Sequence, residues 1–418
     1  MKKNILIISY VFPPYPGIGG RRWAKFAKYL HRAGHNVYVI AAQNPFENIS
    51  TFIKDIQEIP QENIIYLPSK YPSVLLQYPK KFFDKLQYHF WIKTLPFFTK
   101  GNFYDRSMFW KWQLYQTIQK IIQNKQISSI IVSGPPFNMA YEVTLLKREF
   151  PDIQIIVDYR DEWTFNKVHG FGIISKKRQE VEFQKEQYVC ENADIIMSCD
   201  EIILEYLINR YNVKKYFHLP HGFDKDDFKY LEVDFINHQP KNDNRIIISY
   251  FGNIQPNTEM FFNELCRTLD IIRDNNISLY DKLLFSYYLM SPFHYEDIIS
   301  LHKSKFIFNY NISSSDVFSN LSSSDFIVVI LSKRAKDYFT SKYPEIFYLK
   351  KPILLYSEKG RVSEFIEKHK IGVHLPQENF YDAFVNAITN PSQFSYQDLD
   401  VEQWDFENLT QELVSILK

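Results

Sequence analysis

An apolar stretch that runs directly into a glycine-rich turn constrains the fold of this chain more than any other feature. Residues 5–11 are mostly apolar and predict a buried strand. The turn that follows contains Gly17, Gly19 and Gly20, and residues 23–30 place Phe26, Ala27 and Leu30 on one helical face. Open α/β sheets build ligand sites from a strand, a turn and a helix in this order, because the helix start offers unpaired N–H groups to an anion.

The glycine spacing leaves two interpretations of this turn open. Gly17, Gly19 and Gly20 do not form the Gly-x-Gly-x-x-Gly pattern of dinucleotide-binding proteins. The turn therefore either binds an anion or is only a tight connection. Gly34 then ends the helix, and residues 35–42 predict a second strand, so the unit is βαβ and its sheet is parallel.

Length and composition limit the class of protein. A chain of 418 residues is long for one hydrophobic core, so two domains are expected. The formal net charge of +1 gives no reason to expect a nucleic-acid partner. The three cysteines lack metal-ligand spacing, which favours a reduced, cytoplasmic protein without a metal. No apolar run is long enough to span a bilayer.

Alternating strand and helix patterns predict an α/β protein with two Rossmann-like parallel-sheet domains facing a central cleft. We place the N-terminal domain at 1–222, a charged linker at 223–244, the C-terminal domain at 245–400, and a helix at 401–418 that packs back toward the N-terminal domain. Ligands are expected at the carboxyl ends of the strands, on both sides of the cleft.

Residues 70–112 interrupt this alternation. The segment is rich in aromatic residues, and its basic residues outnumber Asp84 and Asp105. Aromatic and basic side chains together suit a peripheral contact with the inner face of the cytoplasmic membrane. The alternative is an insertion that packs its aromatic residues inside and leaves its lysines in solvent.

Two predicted strand ends in the N-terminal domain carry candidate functional residues. Asp158, Arg160 and Asp161 follow a buried strand, where carboxylates can orient sugar hydroxyls and the guanidinium can hold a phosphate. A structural salt-bridge cluster is the alternative. Gly134 and Pro135 end another strand and form either a pocket wall or a simple turn.

A third candidate segment follows the predicted strand at 325–331. Asp337 and Glu345 lie eight positions apart with a helix start between them. We expect Thr340 or Ser341 to cap this helix, which leaves backbone N–H groups for phosphate oxygens. Lys342 adds positive charge, and Glu345 can reach the vicinal hydroxyls of a ribose. The alternative for Glu345 is an acid that only favours the helix dipole.

These segments together resemble the GT-B glycosyltransferases of the retaining family-4 type, in the subgroup of bacterial capsule, O-antigen and exopolysaccharide synthesis. The resemblance covers nearly the whole chain. It rests on the turn at 11–23, Gly34-His35, Ser133-Gly134-Pro135-Pro136, residues 158–163, Ala193-Asp194-Ile195-Ile196, residues 219–224, Lys342, Glu345 and residues 351–354.

The resemblance implies a nucleotide-sugar donor in the C-terminal domain and an acceptor in the N-terminal domain. Glu345 matches the second acid of the family's E-x7-E motif, which binds the donor ribose, whereas Asp337 replaces the first acid, which contacts the transferred sugar. Thr340 replaces the motif's glycine beside the diphosphate.

The basic clamp for the diphosphate departs from the family pattern. Many relatives carry an Arg and a Lys after the position of Gly252 and Asn253, but this chain has no base there. The candidate substitutes are Arg21, Lys333, Arg334 and Lys342. His221, at the predicted domain junction, is a further candidate for substrate contact.

We therefore expect a retaining glycosyltransferase that moves a sugar from a UDP- or GDP-sugar to a hydroxyl of a glycan or lipid-linked acceptor. The expected catalytic residues are Asp158, Arg160, Asp161, Asp337 and Glu345. We expect no metal or other cofactor. One alternative is a non-catalytic sugar-nucleotide-binding or scaffold subunit, which the missing clamp favours. The other alternative is an NAD(P)-dependent oxidoreductase. Two features argue against it: the glycine pattern of dinucleotide-binding proteins is absent, and no acid follows the second strand.

Overall fold

The structure, a computed structural model, describes residues 2–77, 79–165, 169–229, 231, 244–254 and 258–418. The chain forms two compact units. The N-terminal unit comprises Met1–His221 and Phe406–Lys418, and the C-terminal unit comprises Gly222–Asp405. The division lies one residue from the predicted boundary, and the chain returns to the N-terminal unit for its last helix.

The N-terminal unit contains a sheet of seven parallel strands in the order β3-β2-β1-β4-β5-β6-β7. The strands are β1 (Asn4–Ser9), β2 (Asn36–Ala42), β3 (Ile64–Leu67), β4 (Ser129–Gly134), β5 (Gln154–Tyr159), β6 (Ile195–Ser198) and β7 (Tyr216–His218). The helices are α1 (Arg21–Arg32), α2 (Phe82–Phe98), α3 (Lys111–Lys125), α4 (Asn138–Leu145), α5 (Lys176–Asn192) and α6 (Glu201–Arg210).

The C-terminal unit repeats this architecture with six parallel strands in the order β10-β9-β8-β11-β12-β13. The strands are β8 (Ile246–Phe251), β9 (Leu283–Leu289), β10 (Phe306–Tyr310), β11 (Phe326–Ile330), β12 (Ile353–Tyr356) and β13 (Gly372–Leu375). The helices are α7 (Glu259–Asn275), α8 (Ile277–Lys282), α9 (Ser314–Ser322), α10 (Lys342–Leu349), α11 (Arg361–Lys368) and α12 (Phe380–Thr389). The prediction of two parallel-sheet domains is confirmed.

The strand order places a switch point in each sheet. In the N-terminal unit the order reverses between β1 and β4, which pair through Ile5–Ser129 to Ser9–Ser133. In the C-terminal unit it reverses between β8 and β11, where Phe326 pairs with Ile248. Loops that leave a sheet at such a point diverge to opposite faces and open a crevice for a ligand.

The last helix, α13 (Phe406–Ile416), completes the core of the N-terminal unit. Phe406, Leu409 and Leu413 are buried in one cluster with Phe26 and Leu30 of α1. The rings of Phe26 and Phe406 meet edge to face, with centroids 5.1 Å apart. The apolar period of α13 is satisfied by this contact, because it faces a complementary stripe on α1.

Several sequence expectations need correction. The first strand ends at Ser9 rather than at residue 11, because the chain turns away before the two prolines. The predicted insertion at 70–112 contains the 17-residue helix α2, whose apolar residues lack the spacing of a one-sided helix. The strands β3 and β10 were not predicted.

The predicted linker at 223–244 lies largely outside the described residues. Its first part belongs to the C-terminal unit, because Phe223 and Phe228 are buried there against Tyr348. Within the described residues, no helix is both long and apolar enough to cross a membrane.

We expect Leu413→Ala to lower the free energy of unfolding by about 2–5 kcal/mol, because it leaves a cavity in a packed core. Urea unfolding followed by circular dichroism measures this change. Gln411→Ala, an exposed position on the same helix, is the matched control. A loss for Leu413→Ala no larger than that of the control would show that α13 adds little to the core.

Candidate functional site

Three loops of the N-terminal unit meet at the carboxyl ends of β1, β4 and β5, and Arg160 joins them. Its Nη1 donates to the carbonyl oxygen of Gly19 at 2.5 Å, and its Nη2 donates to that of Pro135 at 2.8 Å. A Cβ at Gly19 would lie 2.9 Å from Nη1, so a side chain there would displace the guanidinium. Arg160 therefore fixes the glycine-rich turn, and only glycine leaves room for it.

Asp158 lies beneath these loops and is fully buried. Its carboxylate accepts hydrogen bonds from Trp23 Nε1 at 2.7 Å and Ser133 Oγ at 2.8 Å, and Arg22 Nη2 lies 3.4 Å away. Because these partners come from α1 and β4, the carboxylate holds the helix against the sheet. Its position favours a positioning role over the contact with substrate that the sequence suggested.

The arginines at the start of α1 face the protein. Arg21 is 4% exposed and its guanidinium lies 5.5 Å from the centre of the Phe406 ring. Arg22 donates to the carbonyl oxygens of Leu219 and Pro220 at 2.6 and 2.8 Å, which holds the loop that carries His221. No side chain caps α1. At its start the Gly20 N–H donates to the carbonyl oxygen of Gly17 at 3.3 Å and the Arg21 N–H donates to that of Ile18, so the preceding turn uses these donors.

Asp161 remains exposed beside the glycine-rich turn. His169 Nε2 lies 3.4 Å from Asp161 Oδ2. Partial loss of water around the carboxyl, whose side chain is half exposed, would raise the pKa of Asp161, but the hydrogen bond and charge of His169 and the charge of Arg160 hold that pKa below its usual value. The sequence analysis did not single out His169, because its neighbours carry no recognisable motif.

His221 is the other titratable candidate of the N-terminal unit. Burial, together with the charges of Arg22, Arg21 and Arg160, lowers the pKa of His221 to about 3. The imidazole is therefore neutral at physiological pH, and it can accept a hydrogen bond or donate one.

The loop at Gly134 is shaped by aromatic packing. A Cβ at Gly134 would lie 2.3 Å from the Phe137 ring, which stacks on Trp163 with centroids 5.0 Å apart. Pro135 contributes its carbonyl oxygen to Arg160, as described above. Gly134 therefore leaves room for the Phe137 ring to pack against the loop.

The cap of helix α4 comes from an unexpected residue. The buried carboxylate of Asp105 accepts from the backbone N–H groups of Phe137 and Asn138 at 2.7 and 2.8 Å. The Asn138 side chain accepts from Lys185 Nζ at 2.9 Å. Asp105 was missed because it lies more than thirty positions from the helix it caps.

In the C-terminal unit, Lys342 lies at the end of β8. Its Nζ donates to the carbonyl oxygen of Phe251 at 2.8 Å. Gly252 has a φ of 109°, and a Cβ there would lie 2.5 Å from Lys342 Nζ. Both the backbone conformation and the position of Lys342 therefore require glycine here. The structure thus brings together Gly252 and Lys342, which lie far apart in sequence.

The environment of Lys342 makes it titratable near neutral pH. Burial lowers the pKa of Lys342 to about 8, and the nearby charge of Glu345 opposes that shift. Glu345 lies one turn into α10 and is 9% exposed. Asn253 follows Gly252, and its carbonyl oxygen accepts from the Tyr250 hydroxyl at 2.7 Å.

The start of α10 differs from the expectation. Ser341 occupies the N-cap position in a helical conformation and makes no capping hydrogen bond with its side chain, and Thr340 is exposed one residue earlier. The predicted side-chain cap is therefore wrong. The first N–H groups of α10 lack a side-chain cap at the point where Lys342 begins the helix.

Asp337 has a different partner. Its Oδ1 accepts from the backbone N–H of Arg361 at 2.9 Å, so it caps α11. A Cβ at Gly360 would lie 2.5 Å from the same oxygen. This position favours a supporting role for Asp337. Arg334 is exposed in the turn after β11, and the neighbouring Lys333 pairs with Glu358 at 3.2 Å.

Solved structures resemble the whole chain at low sequence identity. Sucrose-phosphate synthase from Thermosynechococcus elongatus aligns with a TM-score of 0.62 and 13% identity over 99% of this chain and 98% of that one. HepE from Anabaena, solved with UDP and glucose, aligns with a TM-score of 0.61 and 11% identity over 99% of this chain and 98% of that one. A UDP-forming α,α-trehalose-phosphate synthase from Burkholderia vietnamiensis aligns with a TM-score of 0.57 and 10% identity over 99% of both chains.

This chain has the GT-B fold. The assignment rests on two parallel-sheet units and on alignments that span nearly the full length of each neighbour. No protein-family model matches the chain, and no curated protein sequence matches it. A co-structure of MnaA from S. aureus with UDP also aligns, with a TM-score of 0.53.

We expect Arg160→Lys to loosen the glycine-rich turn, because the single nitrogen of lysine does not reproduce the two separate Nη groups that donate to Gly19 and Pro135. Loss of one charge-assisted hydrogen bond should speed amide exchange at residues 19–22 about tenfold. Hydrogen–deuterium exchange measures this, and Arg148→Lys, an exposed substitution, is the control. Unchanged exchange would mean that Arg160 does not hold the turn.

Proposed function

We propose that this protein is a glycosyltransferase that uses a UDP- or GDP-sugar. The observation that carries the proposal is the Lys342 ammonium at the uncapped start of α10, beside the Gly252 turn, with Glu345 one helical turn away. This arrangement offers positive charge and a carboxylate, which suit a diphosphate and the hydroxyls of a ribose. Neighbours of the same fold were solved with UDP.

In the proposed donor complex, the Lys342 ammonium holds the diphosphate, and Gly252 and Asn253 allow the backbone to approach it. Glu345 accepts hydrogen bonds from the ribose. Lys342 replaces the clamp that relatives place after the glycine turn. Developing charge on the leaving diphosphate is then stabilised without a metal ion.

The acceptor hydroxyl is proposed to bind in the N-terminal unit. Asp161 and His169 are exposed there and can orient a hydroxyl, and the neutral His221 can share in this hydrogen bonding. Asp158 and Arg160 keep the turn at Gly19 and Gly20 in place. The bond between the anomeric carbon and the phosphate oxygen breaks as the bond to the acceptor oxygen forms, and the acceptor proton passes to the departing diphosphate.

The finer parts of the proposal rest on the motif resemblance to retaining family-4 enzymes. They are retention of anomeric configuration, a glycan or lipid-linked acceptor, and a role in bacterial surface polysaccharide synthesis in the cytoplasm at the inner face of the membrane. The order of Lys342, Glu345 and residues 351–354 supports them.

The direct test is donor binding followed by transfer. Calorimetric titration with UDP- and GDP-sugars should show binding to one class, and Glu345→Ala should weaken it about tenfold or more through loss of a charged hydrogen bond to the ribose. Glu364→Ala, an exposed acid elsewhere in the unit, is the control. Binding of NADH without any nucleotide-sugar would refute the proposal, and donor binding without transfer to any acceptor would favour the scaffold alternative.

Donor affinity should also depend on pH through Lys342. Its pKa near 8 means that the ammonium is charged at pH 7 and loses its proton as pH rises, so affinity should fall above pH 8 by at most about tenfold per pH unit. Calorimetry between pH 7 and 9 measures the slope.

Lys342→Arg should bind with a flatter profile, because arginine keeps its charge and any titration of the ligand is common to both proteins. Identical slopes for the two proteins would show that Lys342 does not contact the diphosphate.

A further inference from the structure

Helix α2 is apolar on two opposite sides, and the protein covers one of them. Leu95 is 1% exposed, and Trp91 and Ile92 pack beside it. Their partners form a small cluster made of Tyr71, Phe103, Phe171 and Ile174. This contact fixes the helix on the N-terminal unit and determines which side faces outward.

The outward side carries large apolar residues in solvent. At 100° per residue, five side chains fall within an arc of about 100°, opposite Leu95. These five form the α2 surface: Phe82 is 70% exposed, Phe83 74%, Leu86 52%, Phe90 59% and Phe97 85%. An apolar stripe of this size on a soluble chain marks an interaction site.

Positive charge surrounds the α2 surface. Between residues 80 and 100 there are five lysines and one acid, Asp84. All five lysines are exposed: Lys80, Lys81, Lys85, Lys93 and Lys100. The partner must therefore be apolar at its contact and negatively charged around it.

We propose that the α2 surface docks on the anionic face of a lipid bilayer. A single convex helix with aromatic residues outward matches a flat interface, where the rings enter the acyl boundary and the lysines meet phosphate headgroups. The helix lies in the interface and does not cross it, in keeping with its 17 residues and its flanking lysines.

A second copy of this chain fits the surface less well. A twofold contact between two α2 surfaces would bring the lysines of both copies together, and like charges across an interface oppose association. A bilayer containing acidic lipids supplies the opposite charge.

The end of α2 is joined to the proposed acceptor side of the site. Arg178 donates to the carbonyl oxygens of Pro96 and Gly101. Asn102 Nδ2 donates to the carbonyl oxygen of His169 at 2.9 Å, and His169 pairs with Asp161. Docking on the bilayer would present a lipid-linked acceptor to Asp161 and His169. This role of the α2 surface rests on the proposed function.

The test is sedimentation of the full chain with vesicles of phosphatidylcholine, alone or mixed with an equal part of phosphatidylglycerol. The protein should bind the mixed vesicles. Phe83→Ser, Phe90→Ser and Phe97→Ser combined should weaken binding about a hundredfold or more, since three apolar side chains stay in water. Lys81→Gln, Lys85→Gln and Lys93→Gln combined should cost about fivefold per lysine.

Matched controls remove equal groups from the C-terminal unit: Ile271→Ser, Ile277→Ser and Leu301→Ser combined, and Lys303→Gln, Lys359→Gln and Lys368→Gln combined. Both controls should bind vesicles like the unchanged protein. Since every α2 substitution is at an exposed position, thermal unfolding should be unchanged, and it is measured for each variant.

Absence of vesicle binding by the unchanged protein would overturn the inference, as would equal binding to both vesicle types. Concentration-dependent dimerisation that the three serine substitutions abolish would instead assign the surface to a second copy. Donor titration of the same variants distinguishes the two proposals. A variant that loses vesicle binding but keeps donor binding concerns the docking alone. Absence of donor binding by the unchanged protein would contradict the proposed function instead.

Discussion

The buried carboxylate of Asp158 organises the site of the N-terminal unit. An ionised carboxylate is costly to bury unless hydrogen bonds replace its water. Here the donors are Trp23 on α1, Ser133 on β4 and Arg22 at the start of α1. Each donor comes from an element that frames the glycine-rich turn. Satisfying one charge therefore determines where three chain segments lie, and Arg160 then fixes the turn above them.

In both units, a glycine in the loop after a strand lies against a cation from a distant segment of the chain. Gly19 leaves room for Arg160, and Gly252 leaves room for Lys342. In each case a single Cβ would collide with the cation. The glycines therefore allow positive charge to lie against backbone carbonyls at the carboxyl ends of β1 and β8, beside the switch point of each sheet.

Local pattern was enough to predict most of the sheet and few of the caps. The strands predicted at 35–42 and 325–331 match Asn36–Ala42 and Phe326–Ile330 to within one residue at each end, because apolar runs and flanking turn residues are local signals. Asp105 and Asp337 cap helices that begin 33 and 24 positions away, counted between the bonded residues. No local pattern reports such a partner, so the sequence assigned Asp337 to the sugar and overlooked Asp105.

The return of the chain to its first unit has a consequence for synthesis. The N-terminal unit contains the first half of the sequence, yet Phe406, Leu409 and Leu413 of its core are made only after the whole C-terminal unit. While the ribosome translates the C-terminal unit, the stripe on α1 that receives them stays open to solvent. The nascent chain therefore carries an exposed apolar groove while the C-terminal unit is made, and such surface recruits chaperones or leads to aggregation. A chain truncated before Phe406 would keep that groove exposed.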